Sequence, residues 1–132
     1  MAFTPRVKVD LPYGDAVARV RETLKEQGFG VLTEIDIRRT LKEKLDVDVE
    51  PQIILGACNP KFAHRAIGID PRVATLLPCN VVVRTEDGRT VVEAIDPQMI
   101  ADLPENADLE PVAHEVSKGL TAALDALRGP RA

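Results

Sequence analysis

Gln52-Ile53-Ile54-Leu55-Gly56-Ala57-Cys58-Asn59-Pro60, followed by Leu76-Leu77-Pro78-Cys79-Asn80-Val81-Val82-Val83, is the stretch on which the rest of the chain is organised. The first run is apolar, ends in Gly-Ala-Cys, and gives way to Asn-Pro, the pattern of a buried strand delivering a thiol and a helix cap to its exit. Its Ile53-Ile54-Leu55 interior does not alternate, which predicts burial on both sides or a place at the sheet centre. The second run predicts a strand over 79–86. Asp87-Gly88 is the strongest hairpin signal in the sequence and turns it into a partner over 89–95.

Upstream, Val7, Val9 and Leu11 alternate with Lys8 and Asp10, the period of a strand with one wet face. Val17, Val20 and Leu24 against Arg19, Arg21, Lys25 and Glu26 mark an amphipathic helix from Gly14 or Asp15 to Gln27, closed by Gly28. A second strand is expected over 29–35, with Val31, Thr33 and Ile35 on one face and Leu32 and Glu34 on the other. Asp36 then caps a helix in which Ile37, Leu41 and Leu45 recur every four residues, while Arg38, Arg39, Lys42 and Lys44 point outward.

Three Asx-Pro pairs, Asn59-Pro60, Asp70-Pro71 and Asp96-Pro97, each carry the N-cap and first-turn signature of a short helix. Leu109, Val112, Ala113, Val116, Leu120, Ala123, Leu124 and Leu127 extend a long amphipathic helix over about 108–128. The order of elements predicts an α+β fold: a two-layer sandwich with a largely antiparallel sheet and helices on one face. No linker or repeat interrupts it, so residues 1–132 are read as a single domain.

Seventeen basic and twenty-one acidic residues give a net charge of −4, without the basic excess that draws a phosphate backbone. Three Phe, one Tyr and no Trp leave few stacking platforms, so nucleic acid is not an expected partner. The longest apolar runs are too short to cross a bilayer and the N-terminus lacks the pattern of a signal peptide. The expectation is a cytoplasmic protein with no membrane partner, whose two cysteines stay reduced.

Ile54-Leu55-Gly56-Ala57-Cys58-Asn59-Pro60, Leu77-Pro78-Cys79-Asn80-Val81-Val82-Val83, Ala94-Ile95-Asp96-Pro97 and Gly28-Phe29-Gly30-Val31-Leu32-Thr33-Glu34-Ile35-Asp36 together resemble the family catalogued as domain of unknown function 302. The resemblance covers about 7–127. It implies a two-layer sandwich of TATA-binding-protein-like architecture, often dimeric, so a homodimer is expected. It supplies no activity, cofactor or catalytic residue, and many relatives lack the cysteine of the first motif.

The residues themselves point to a candidate site. If the strands bearing Cys58 and Cys79 are antiparallel neighbours, the two thiols meet at one sheet edge. Cys58 stands just before a helix N-terminus, where the dipole lowers a thiol's pKa. Asp96 returns on the hairpin toward the same edge, and Glu34 is a lone carboxylate over the sheet. Cys58, Asn59, Cys79, Asp96 and Glu34 are thus the expected ligand-binding residues. The cofactor is unknown and the leading expectation is a non-enzymatic domain that binds a small-molecule ligand or partner. The alternative is a thiol redox or thiolate metal-binding protein in which Cys58 attacks and Cys79 resolves. The bland reading stands beside both: buried cysteine is common, Asx-Pro residues are usually caps, and His64 has no partner spacing. His114-Glu115 starts like a zinc helix, but position 118 is Lys.

Overall fold

The computed structural model describes residues 5–128. Five strands, β1 (Arg6–Val9), β2 (Gly30–Asp36), β3 (Gln52–Cys58), β4 (Cys79–Glu86) and β5 (Arg89–Ala94), form one sheet in the order β1-β5-β4-β3-β2. Every neighbouring pair is antiparallel. The helices are α1 (Tyr13–Glu26), α2 (Ile37–Leu45), α3 (Pro60–Ile69), α4 (Met99–Asp102) and α5 (Glu110–Asp125). A two-layer α+β sandwich results, as the order of elements predicts.

The register puts one row of side chains on the helix side of the sheet. Val7 faces Val92, Val83 faces Val92 and Ile53, Val81 faces Ala94 and Leu55, and Cys79 faces Ala57. All are buried, against Ala16, Val20 and Leu24 of α1 and Val112, Val116 and Leu120 of α5. This aliphatic seam is the core, and its burial is the main term favouring the fold. In the alternate row Ile54, Val82 and Arg84 are only half-buried, while Val91, opposite Arg84, is fully buried. Ile54 therefore lies on the open face, and the unbroken Ile53-Ile54-Leu55 run reflects a central strand rather than burial on both sides.

Local signals account for the joints. Gly28 closes α1 at φ +84°, its N–H donating to Lys25 O, and Gly88 turns the hairpin at φ +75°. Asp36 Oδ1 accepts from Arg39 N at 3.0 Å and caps α2. Asn59 caps α3, and Asp70 caps the 3₁₀ turn Pro71–Leu76.

In β2 the expected alternation fails. A bulge between Val31 and Thr33 puts Val31 opposite Ala57 on the core side and turns Thr33 and Ile35 to the open face, opposite Gly56 and Ile54. The extra residue, Leu32, changes the phase of the strand. Gly56 sits under both neighbours: a methyl there would meet Thr33 Oγ1 at 2.0 Å and Pro78 Cγ at 2.7 Å.

Candidate functional site

β3 and β4 end side by side, and α3 and α5 close over that end. Between them is an apolar cavity lined by Phe29, Ala57, Cys58, Asn59, Phe62, Ala63, Ala66, Leu77, Cys79, Ile100, Val112 and Val116. About 20 Å³ is free for the centre of a water molecule, enough for one. Arg65 stands at 5.5 Å over the ring of Phe62 beside it.

Three of the five residues read from the sequence are in this wall: Cys58, Asn59 and Cys79. Asp96 and Glu34 are outside its lining. Asp96 Oδ1 accepts from Gln98 N at 3.0 Å, the cap of the turn leading to α4. Glu34 takes Arg21 of α1 at 2.6 Å.

The expected cysteine pair is corrected by the register. Cys79 is the cross-strand partner of Ala57, so it shares that residue's core-side phase; Cys58, one position later, falls in the opposite phase with Gly56. A one-residue offset thus takes the two thiols out of direct cross-strand pairing, although both residues line the cavity, and both cysteines are free. Cys79 is 4 % exposed, while Cys58 is half-buried where β3 gives way to α3.

Nor is the Cys58 thiol acidified. Burial pushes it above its ordinary 9.0. The helix terminus does not offset this, because the first N–H groups of α3 are already taken: Asn59 Oδ1 accepts from Lys61 N at 3.2 Å and Phe62 N at 3.4 Å. Burial, and then the neighbouring Cys58 charge, push the Cys79 thiol up to about 11. Both are neutral thiols at neutral pH. Among the described residues no group of three or more His, Cys, Asp or Glu is placed to hold a metal ion.

The sequence did not point to Phe29, Phe62, Ile100, Val112 and Val116 as site residues. Their apolar periodicity marks them as core, and nothing in it separates core from cavity wall. Asp70 was read as a cap, and it is one, through Arg72 N at 3.1 Å. It is also only 6 % exposed and is held by the Arg72 guanidinium at 2.8 Å and by Asn106 Nδ2 at 3.3 Å. The Arg72 side-chain hydrogen bonds come first in holding this carboxyl well below the ordinary range; burial opposes them, and the Arg72 N–H and Asn106 add to them. Arg72 also donates to Pro104 O at 2.9 Å, so the cluster ties the turn after α3 to the loop before α5.

A second cluster lies on the open face of the sheet. Arg84 on β4 donates to Glu93 on β5 and to Glu86 at 2.9 Å, and Arg6 on β1 pairs with Glu86. Beside it runs a shallow groove lined by Gln52, Asn80, Val82, Arg84, Glu93, Ala94 and Ile95.

Comparison with known proteins identifies a family and a solved relative. The family model described as "Domain of unknown function DUF302" matches residues 6–127. The crystal structure of an uncharacterized conserved DUF302 protein from Bacillus stearothermophilus superimposes with a TM-score of 0.91 at 33 % identity, covering 97 % of this chain and 100 % of that one. No curated protein matches the chain. No helix of the described residues is long and apolar enough to cross a membrane.

Proposed function

The chain belongs to the DUF302 family of domains of unknown function, and from that premise we propose that it is a non-enzymatic binding domain whose ligand is a small apolar molecule held between β3, β4, α3 and α5. The observation that carries this reading is the cavity itself: apart from Asn59 and the two neutral thiols, every side chain in its wall is apolar. A concave apolar wall with very few polar groups is the common character of small-molecule sites. The neutral thiols favour this over the redox alternative, which requires an attacking thiolate.

The space as it stands is far below the roughly 300–1,000 Å³ of drug-sized sites. Occupancy by anything larger than a few atoms therefore requires α3 to give way. That helix buries Ala66 alone among its ten residues, so it is the wall held most weakly. The test is xenon binding followed by ¹²⁹Xe NMR, with thermal shift against benzene, indole and short alkanols. Saturable binding to the native protein that disappears in Ala63→Leu, which fills the cavity, is expected. No saturable binding by any of them overturns the proposal.

The homodimer is a second proposal, supported by the open face of the sheet. Ile54 and Val82 lie opposite one another there, half-exposed, beside the Arg84 ion pairs. A patch carrying both apolar groups and charges of both signs suits a two-fold contact with its own copy. Sedimentation of native protein and of Val82→Glu tests it: a dimer that becomes a monomer is expected, and a native monomer at all concentrations overturns it.

A further inference from the structure

We propose that α2, with the edge strand before it, is a docking surface for an acidic amphipathic helix of another protein. The helix has the pattern of a buried element and is not one. Ile37, Leu41 and Leu45 repeat at i, i+4, i+8, yet none of its nine residues is buried. It packs on β2 and β3, which leaves Ile37 and Leu41 half-covered and Leu45 65 % exposed. Val47 just beyond is 41 % exposed, and Leu32 and Ile35 of β2 are 66 % and 45 % exposed. Four of the seven exposed large hydrophobic residues of the described chain thus fall within residues 32–47. Large apolar residues left exposed in one short stretch are the raw material of an interaction surface.

Charge identifies the occupant. In a protein of net charge −4, α2 carries Arg38, Arg39, Lys42 and Lys44 within seven residues. Two are neutralised locally: Arg39 by Glu43 at 3.1 Å, and Lys42 by Asp46 at 2.9 Å and Asp48 at 3.4 Å. Arg38 and Lys44 have no ion pair among the described residues. At 100° per residue, Arg38 flanks the Ile37-Leu41-Leu45 stripe on one side and Lys44 on the other. The surface is therefore an apolar stripe between two unpaired cations, and its complement is an apolar stripe between carboxylates.

Two other occupants fit less well. A second α2 packed antiparallel on the stripe puts Arg38 on the same flank as Arg38 of its copy and Lys44 on the same flank as its copy's Lys44, like beside like. An anionic lipid surface is the poorer fit because α2 has only nine residues and gives little insertion.

The experiment uses the full chain and a synthetic helix of about twenty residues carrying leucine at 3–4 spacing flanked by glutamate, with a lysine-flanked twin and phosphatidylserine vesicles as the other arms. Expected is saturable binding of the glutamate helix, weakened at least tenfold by Leu45→Glu and by Arg38→Glu/Lys44→Glu, with shifted amide resonances confined to 32–47. The charge-reversed double variant gains binding of the lysine twin. Circular dichroism of these surface variants confirms that they are folded. Equal binding of both helices, binding to vesicles alone, self-association through α2, or no binding each overturns the proposal.

Discussion

Phe29 lies with its ring edge on Gly119 of α5, so closely that a methyl group at 119 would stand 2.6 Å from Cε2 and 3.1 Å from Cζ. The ring cannot retreat freely, because it is 2 % exposed and already forms part of the cavity wall. Gly119→Ala therefore sets two effects against each other. Alanine favours the helix by about 1 kcal/mol, while overpacking a tight core costs about 1–3 kcal/mol. Packing wins here, and urea denaturation is expected to give a net loss of about 1 kcal/mol. In a Phe29→Leu background the contact is gone and the same substitution is expected to stabilise. Equal effects in the two backgrounds would disprove the coupling.

Asp70 gives a prediction in pH. Its folded carboxyl titrates below the ordinary 3.8, so the unfolded chain takes up the proton first as pH falls. The contribution is full above about pH 4 and declines as pH drops through the lower folded value. Asp70→Asn keeps a partner for Asn106 but loses the charge facing Arg72. Its stability deficit relative to native protein is expected to be constant from pH 5 to 8 and to shrink below pH 4. A deficit that does not vary between pH 2 and 7 would locate the effect elsewhere.

The thiols should separate in reactivity. At pH 8 a disulfide reagent is expected to modify Cys58 slowly, with a rate that climbs through pH 9 and beyond, because burial raises its pKa. Cys79, with its thiol pushed up to about 11 and almost no exposure, is expected to react only when denaturant opens the chain. Cys58→Ser removes the first phase and Cys79→Ala the second. A fast native reaction of two thiols, or their joint loss on mild oxidation, would restore the redox reading.

What was legible in the chain was local. Gly28, Asp36, Asn59 and the Asp87-Gly88 turn announce themselves through backbone requirements that depend on a few neighbours, and the structure uses each as expected. The core positions of α1 and α5 follow from periodicity. What was not legible depends on counting across strands. The bulge at Leu32 reverses the phase of half of β2, and the offset of one residue between Cys58 and Cys79 separates thiols that the topology alone brings together. The bond from Asn106 to Asp70 spans thirty-six positions and has no local signature.

The cavity wall draws on residues from 29 to 116, contributed by β3 and β4, α3 and α5, and the segments at 29, 77 and 100. No single hairpin or helix pair can assemble it. An occupant would thus be released whenever any one of these segments detaches, and its residence time would be capped by the most frequent of those openings. Deuterium uptake at the amides of α3, compared with that of β4, would time the exit route directly.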